Sequence, residues 1–301
     1  MKTLVLGAGA VGGYYGGRLV EAGRDVTFLV RPKRAELMRK NGLKIKGESG
    51  DFESKNFQVI EKPDKLYDLL ILTCKAWDLD GAMDSVLGAV GPNSTVLPLL
   101  NGMSHLQKMK DKFGAQRVIG GLCIISSTLD SDGTILHLND KHGIKYGELS
   151  GPVTDRINAI DELFKPANCH SKKSGEIIAD MWEKWVMISS LAALTTLFGA
   201  SIGEIASSPY GEKIADLIYK ECLAIANAHG FKPSTAFGER LLDKSSTLKA
   251  SMCRDMENGN QIEADQIIGD LVRKAEEQKV PVPYLETVYC NLKVYEARVL
   301  R

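Results

Sequence analysis

The first half of the chain alternates short apolar runs with segments of helical spacing and with polar turns. Segments of helical spacing lie at residues 14–22 and 80–90. Apolar runs of this length are typical of strands buried on both faces of a parallel sheet. The pattern therefore predicts repeated βα units and an α/β domain. The runs are residues 3–6, 25–30, 69–74 and 94–100.

Three further extended stretches come later in the same half of the chain. They cover residues 118–127, 134–138 and 144–146, with turns marked by Gly133 and Gly143. We expect them to be antiparallel additions at the edge of the same sheet.

The period of the pattern changes after the polar, irregular stretch at residues 166–175, and helical spacing then continues to the end. The fold class is thus α/β, with a Rossmann-type dinucleotide-binding domain over residues 1–172 and an all-helical domain over residues 173–301. The predicted helices of the second domain are 176–198, 210–229, 235–243, 246–257, 261–278 and 284–299.

A glycine-rich turn follows the first apolar run and precedes the first helix. Gly7 permits a tight turn, Gly9 lets the backbone approach a pyrophosphate, and Gly12 allows the helix to pack close to the strand. The N–H groups at the start of the helix can then face phosphates. We expect a bound dinucleotide here, the alternative being a purely structural turn. The predicted cofactor-binding residues of the turn are Gly7, Ala8, Gly9, Ala10, Val11 and Gly12.

The end of the second apolar run carries basic residues in place of an acidic one. Enzymes that use NAD usually place Asp or Glu there for the ribose hydroxyls. This chain has Arg31, followed by Lys33 and Arg34. A guanidinium can bind a 2′-phosphate in a bidentate fork. We therefore expect NADP(H), with Arg31 on the 2′-phosphate, the alternative being a solvated basic loop.

Composition limits the remaining classes of function. The chain has 301 residues, with 38 Lys plus Arg balanced by 38 Asp plus Glu, so no global field would attract nucleic acid or an anionic membrane. The six cysteines are scattered and the five histidines lack metal-ligand spacing, so we expect no metal and a reducing, cytoplasmic location. The apolar run at residues 185–205 contains several Ser, Thr and Gly residues and indicates a buried helix rather than a membrane span. The sequence is compatible with a homodimer but does not determine the oligomeric state.

Candidates for chemistry lie at strand ends and in the helical domain. Lys75 and Asn101 follow two of the buried strands, at the sheet edge where ligands bind in open α/β folds. Lys184 begins the most apolar helix between two tryptophans, where it could be a general acid or a lysine reaching solvent from a buried helix. Glu263 could form a capping box with Asn260, or it could pair with Lys184 or bind substrate.

Ser251 and Asp255 share a helix face, but periodicity does not show whether they approach Glu263.

The chain resembles the ketopantoate reductase (2-dehydropantoate 2-reductase) family over nearly its whole length. The motifs that carry the resemblance are GAGAVGGYYGGRL with Arg31, Lys75-Ala-Trp, Asn101-Gly-Met, Trp182-x-Lys184-Trp185, Ser251-Met-x-x-Asp255, Ile262-Glu263-x-Asp265 with Gly269, and Pro281-Val-Pro283.

The resemblance implies a helical domain like that of 6-phosphogluconate dehydrogenase and reduction of the branched 2-oxo acid 2-dehydropantoate by NADPH, in the route to pantothenate and coenzyme A. It implies that Lys184 is the general acid, with Glu263 as its partner carboxylate. Ser251 and Asn101 would bind substrate, and Lys75 and Asn101 would position the cofactor.

Three positions depart from the family pattern. Asparagines that usually help to recognise substrate are replaced by Ile188, Ala192 and Ile202. A site that has lost a hydrogen-bonding partner loses discrimination for a substrate hydroxyl. The departures leave open a reductase of a different, less polar 2-oxo acid. A protein of another class, a non-catalytic NADP(H)-binding sensor, is also open, although the retention of Lys184, Glu263 and Ser251 argues against it.

Overall fold

The computed structural model describes residues 1–299, which form two compact units. The first unit comprises Met1–Leu100 and His105–Ile178. The second comprises Asn101–Ser104 together with the chain from Ala179 onward. The predicted division after residue 172 stays a prediction, and residues 300 and 301 of its second domain lie outside the described residues.

The strands all belong to the first unit. They are β1 (Thr3–Leu6), β2 (Val26–Leu29), β3 (Leu43–Gly47), β4 (Phe52–Ser54), β5 (Gln58–Ile60), β6 (Tyr67–Leu72), β7 (Val90–Pro98), β8 (Gly120–Leu129), β9 (Ile135–Gly147) and β10 (His170–Lys173).

The helices are distributed over both units. They are α1 (Ala10–Glu21), α2 (Pro32–Asn41), α3 (Leu79–Val86), α4 (His105–Phe113), α5 (Asp155–Phe164), α6 (Ile177–Phe198), α7 (Ile202–Ser207), α8 (Gly211–Ala228), α9 (Ala236–Arg240), α10 (Ser251–Glu257), α11 (Asp270–Gln278) and α12 (Pro283–Val299), with a π-helical segment at Asp265–Gly269 before α11.

The central sheet is parallel, with the strand order β5-β2-β1-β6-β7. Its inner strands β1, β2 and β6 are buried at every position except Asp68: Leu4, Val5, Leu70 and Ile71 are each 0% exposed. Continuous apolar runs thus became buried parallel strands, as burial on both faces requires. The predicted α/β class with a helical second domain is confirmed.

A second sheet replaces the expected additions to the edge of the first. Its order is β10-β9-β3-β4, and β8 pairs with β9. The β8–β9 pair is antiparallel, but β3–β9 and β9–β10 are parallel. The expectation that these stretches extend the first sheet is wrong, because β8 pairs with β9, and β9 pairs in turn with β3 and β10. The buried Leu43 and Ile45 of β3 lie against Gly17 of α1.

Glycines let α1 pack against both sheets at once. A Cβ on Gly16 would lie 2.5 Å from the Phe28 ring in β2, and one on Gly17 would lie 2.7 Å from the Ile45 side chain in β3. Such distances leave no room for a side chain. The last glycine pair of the opening motif, Gly16 and Gly17, therefore serves packing of α1 against the two sheets.

The regular secondary structure of the second unit is helical in the described residues, and its longest helix is the apolar α6. Ser190, Thr195 and Thr196 lie inside α6, and their hydroxyls donate to carbonyl oxygens four residues earlier in the helix. These bonds satisfy hydroxyls that are buried among apolar side chains. Within residues 1–299, no helix combines the length and the apolar character that a membrane span needs.

Candidate functional site

The glycine turn has the backbone that the sequence predicts. Gly7 has φ +89°, a left-handed conformation that favours glycine. Gly9 is exposed at the N-cap of α1, and a Cβ built on it would meet no atom within 4 Å. A Cβ on Gly12 would lie 2.1 Å from the Gly7 carbonyl oxygen. Gly7 and Gly12 are thus needed by the fold, whereas Gly9 leaves open space beside the helix start.

Two side chains that the sequence analysis did not assign hold this turn. Thr73 Oγ1 donates to the carbonyl oxygens of Leu6 and Gly7 at 3.0 and 3.2 Å. Arg34 Nε donates to the Ala8 carbonyl at 2.9 Å. Burial lowers the pKa of Arg34. These contacts occupy carbonyl groups of the turn, while the first N–H groups of α1 have no partner within the helix.

The electrostatics of the turn suit an anion. The first turn of α1 contains no acidic residue, and helix N-termini favour negative charge. The residues present therefore fit the diphosphate of a dinucleotide.

Arg31 stands at the end of β2, as predicted, and precedes α2. Its guanidinium side chain is 79% exposed and contacts Asp78 Oδ1 at 2.6 Å. Asp78 belongs to a short 3-10 turn, Ala76–Asp78, that follows Lys75. No local pattern in the sequence indicates Asp78, because the Arg31–Asp78 pair joins residues 47 positions apart.

Lys75 caps the same 3-10 turn and is exposed. Its Nζ lies 5.6 Å from the centroid of the Trp77 ring, within the range of a cation–π contact. The structure thus places Arg31 after β2 and Lys75 and Asp78 after β6, the two strands that flank β1 in the first unit.

In the second unit, Lys184 and Asn101 are brought together. Lys184 is half-buried in α6, and its Nζ donates to Asn101 Oδ1 at 2.9 Å. These residues are 83 positions apart in the chain. The nearby Trp182 ring stacks on Phe231 and His229, both at 5.4 Å between centroids. The tryptophan is thus part of the helical core, while the lysine reaches the Asn101 segment.

The Asn101 segment is held by a residue that sequence reasoning missed. Gln266 Nε2 donates to the Asn101 carbonyl oxygen at 2.8 Å, and Gln266 Oε1 accepts from Ser104 Oγ at 2.7 Å. Gly102, between these partners, has φ +73°. No local pattern distinguishes Gln266 from any other polar residue in a helical stretch.

Glu263 is buried just before the π-helical segment that contains Gln266, with 9% exposure. The capping interpretation is wrong, because residues 260–263 are not helical and helical backbone begins only at Ala264, so Asn260 is not an N-cap. Glu263 lies four residues before Ile267, and the Ile267 carbonyl oxygen accepts from Trp185 Nε1 at 3.0 Å. Glu263 is therefore carried by a segment that is bonded to α6 near Lys184.

Asp270 is the other buried carboxyl group of this region. It is 8% exposed at the start of α11, and burial raises its pKa. The opposing influences are the charge of Arg273 and a hydrogen bond with Ser104.

Ser251 is exposed in the first turn of α10. That turn is attached to the C-terminal half of α6, where Ala250 N donates to Thr195 Oγ1 at 3.3 Å and Cys253 Sγ lies 3.1 Å from the Thr195 carbonyl. Lys184 lies in the N-terminal half of the same helix. Ser251 thus lies beside the C-terminal half of α6, and positions 188 and 192 of that helix come between Lys184 and the attachment at Thr195.

Two models of one protein family match most of the chain. The model described as ketopantoate reductase PanE/ApbA matches residues 3–151, and the model for its C-terminal domain matches residues 176–296. The chain belongs to the ketopantoate reductase family. It is an oxidoreductase of that family, and the predicted membership is confirmed.

Proteins that are similar to this chain are named for different activities. A Bacillus subtilis protein named uncharacterized oxidoreductase YkpB is 38% identical over 99% of both chains. The structure of 2-dehydropantoate 2-reductase from Geobacter metallireducens has a TM-score of 0.90, with 26% identity over 98% of this chain and 99% of that one. A D-mandelate dehydrogenase structure with NADH and anilino(oxo)acetate has a TM-score of 0.89 over 100% of both chains, but its 20% identity shows only a shared fold.

Proposed function

We propose that this ketopantoate reductase family member reduces a 2-oxo acid with NADPH, and that its substrate is 2-dehydropantoate, which would become pantoate. The Lys184–Asn101 hydrogen bond at 2.9 Å carries the proposal. It attaches a candidate proton donor to the segment that follows β7, at the strand end where α/β folds bind ligands. The proposal places the protein in the route to pantothenate and coenzyme A, in the cytoplasm.

The cofactor site of the proposal consists of residues in the first unit. Gly7 to Gly12 and the start of α1 would hold the diphosphate, since Gly9 leaves open space and no acidic residue opposes the charge. Arg31 would hold the 2′-phosphate, which would displace the Asp78 carboxylate from the guanidinium. Lys75 would contact the cofactor at the neighbouring strand end. When bound, NADPH supplies a hydride to the keto carbon.

The chain's own residues would handle the proton and the substrate. An ammonium has three donors and no acceptor, so Lys184 can donate one hydrogen to Asn101 Oδ1 and still direct others to a substrate oxygen. As hydride adds to the carbonyl carbon, its oxygen becomes an alkoxide, and Lys184 would protonate it to the alcohol. Glu263 would hold Lys184 and the new hydroxyl. Ser251 and Asn101 would bind the substrate, and Ser251 would contact the carboxylate group of the substrate.

A specific observation favours a second candidate, a less polar 2-oxo acid. Of the three positions that depart from the family pattern, Ala192 and Ile202 are 2% and 0% exposed, whereas Ile188 is only half-buried. Ile188 lies one helical turn after Lys184 and so shares its face of α6. Ile188 is therefore the departure that can contact a substrate next to the proton donor.

The testing experiment is a spectrophotometric assay of NADPH oxidation with 2-dehydropantoate and a panel of 2-oxo acids of graded polarity. Turnover of 2-dehydropantoate with the highest kcat/KM supports the first proposal. Preference for an apolar 2-oxo acid supports the second candidate. Binding of NADPH without turnover of any panel member contradicts both and favours a non-catalytic sensor.

The substitution Ile188→Asn separates the two substrates. If a branched hydroxy-2-oxo acid is preferred through polar contacts, the new amide should raise kcat/KM for 2-dehydropantoate by about 10-fold, because one added hydrogen bond contributes roughly 1 kcal/mol or more. Activity on an apolar 2-oxo acid should fall. The matched control is Ile188→Leu, which keeps the apolar character, and an equal effect of both variants on 2-dehydropantoate would contradict the role of Ile188.

A further inference from the structure

Gln266 occupies an unusual position at the candidate site. It is 8% exposed within the π-helical segment Asp265–Gly269. Its amide joins two groups of one short segment: Nε2 donates to the Asn101 carbonyl oxygen at 2.8 Å, and Oε1 accepts from Ser104 Oγ at 2.7 Å. A single side chain thus holds both ends of residues 101–104.

That short segment closely follows the backbone around Gln266. Residues 101–104 form no helix or strand. A Cβ on Gly102 would lie 2.5 Å from the Gln266 carbonyl oxygen, and Gly102 has φ +73°. A segment without its own backbone ladder depends on such side-chain contacts for its conformation.

The π-helical segment is itself anchored to two helices. The Ile267 carbonyl oxygen accepts from Trp185 Nε1 at 3.0 Å and from Ser189 Oγ at 3.2 Å, both in α6. On the other side, Asp265 accepts from Tyr289 Oη and from Lys293 Nζ in α12, the latter at 2.9 Å. Gln266 therefore extends from a fixed support, and π-helical turns of this kind occur frequently at functional sites.

Gln266 is linked to Lys184 through Asn101. Gln266 holds the main chain of Asn101, and the side chain of Asn101 accepts from Lys184 Nζ at 2.9 Å. We propose that Gln266 is a positioning residue: through the backbone of Asn101 it sets the place from which the Lys184 ammonium meets the substrate oxygen. This inference rests on the proposed function, since it concerns the proton donor of that reaction.

The main test is Gln266→Met, which keeps the length and volume of the side chain and removes both hydrogen bonds. We expect kcat to fall by about 10-fold or more, because small displacements of a proton donor are costly. The Kd for NADPH, measured by titration of the nicotinamide fluorescence, should stay within about twofold of the wild type, since Gln266 is not itself a predicted cofactor residue and the predicted cofactor residues other than Asn101 lie in the first unit. Gln107→Met is the matched control, since Gln107 is exposed on α4 and bonds only Asp111 among the contacts described. It should leave kcat unchanged.

A double-mutant cycle distinguishes positioning from general destabilisation. If Gln266 acts through Asn101, then Gln266→Met should reduce kcat by less than about twofold in an Asn101→Ala background, because the path to Lys184 is already broken. Multiplicative losses, or an unchanged kcat for Gln266→Met alone, would overturn the proposal.

A second variant covers the case in which Gln266→Met does not fold. Gln266→Glu keeps an acceptor for Ser104 Oγ and removes only the donor to the Asn101 carbonyl, so it should show the same loss of kcat. A wild-type kcat for Gln266→Glu contradicts the proposal. Lys184→Ala serves as the reference: if it retains full activity, the proposed function itself fails, whereas an inactive Lys184→Ala beside a fully active Gln266→Met refutes only the positioning role.

Discussion

Lys184 shows how the role of one residue depends on its partners. In the sequence it is a lysine at the start of an apolar helix, which suits a proton donor and a solvent-seeking side chain equally well. In the structure it donates to Asn101 Oδ1 from a half-buried position. The bond to Asn101 uses one of the three ammonium hydrogens and orients the other two, which can then reach a substrate oxygen. That contact favours the role of proton donor.

Lys184→Ala should therefore lower kcat by roughly 10²-fold or more, since general acid catalysis contributes about that much. Binding of NADPH should be spared, because Lys184 is not one of the predicted cofactor residues, which apart from Asn101 lie in the first unit. Steady-state kinetics with a fluorescence titration of NADPH would measure both quantities. Lys220→Ala, which removes an exposed lysine paired with Asp216, is the control. An unchanged kcat would contradict the assignment of Lys184 as the general acid.

Arg31 and Asp78 set the expected choice between NADPH and NADH. Arg31→Ala should weaken NADPH far more than NADH, because only NADPH carries the 2′-phosphate. Asp78→Asn should act in the opposite direction and tighten NADPH by a few-fold, because an exposed ion pair that the phosphate must break contributes about 1 kcal/mol or less. Dissociation constants for both cofactors test this. Equal losses for NADPH and NADH in Arg31→Ala would refute the 2′-phosphate role.

At the scale of elements, the β1–turn–α1 unit contains glycines that packing requires and one glycine, Gly9, whose predicted role is to leave room for a ligand. A Cβ on Gly12 would lie 2.1 Å from the Gly7 carbonyl and 2.3 Å from Thr73 Oγ1. A Cβ on Gly9 would meet no atom within 4 Å, and its φ of −77° suits any residue. The two positions thus have different physical reasons for being glycine.

Substitution by alanine should reveal the difference. Gly12→Ala should lower the Tm by several degrees, since overpacking costs about 1–3 kcal/mol. Gly9→Ala should leave the Tm within about 2 °C while weakening NADPH by about 10-fold or more, because the methyl group occupies the approach of the diphosphate. Differential scanning fluorimetry with and without NADPH measures both effects. A Gly9→Ala protein that binds NADPH normally would contradict the predicted diphosphate site.

Other elements show where local patterns fail. The π-helical segment Asp265–Gly269 lies inside a stretch predicted as one helix, 261–278, and the short helix α7 and the helix α4 were not predicted. The π-helical turn is held by the bonds from Trp185 and Ser189 to the Ile267 carbonyl. Such bonds come from a distant helix, so spacing within residues 261–278 could not indicate them.

At the scale of the whole molecule, a buried histidine makes stability depend on pH. His142 belongs to β9 of the second sheet, where its Nδ1 is 2.7 Å from Tyr14 Oη of α1 and its ring contacts those of His137 and His170. Burial lowers the pKa of His142 below its ordinary value of 6.5, and the positive charges of His170, His137 and Arg18 act in the same direction.

The sign of the effect follows from proton binding. Because the pKa of His142 is lower in the folded chain, the unfolded chain binds more protons near pH 6, so stability is complete above about pH 6.5 and is lost as the pH falls below it. The midpoint of urea unfolding, followed by circular dichroism, should therefore decrease from pH 7.5 to pH 5.5. His142→Gln should reduce this decrease. An equally steep dependence in that variant would assign it to other groups.

The sequence by itself determined the fold class and the chemistry expected at the glycine turn, because those follow from local periodicity and from residue types at short spacing. The family followed from the resemblance of motifs spread over nearly the whole chain. Only the tertiary structure decided that β8 and β9 pair with β3 and β10 in a second sheet, and that Lys184 contacts Asn101. It also showed Asp78 against Arg31 and Gln266 against the Asn101 backbone. These decisions depend on contacts between residues far apart in the chain, and packing against α1 or a single buried amide leaves no periodic trace in the sequence.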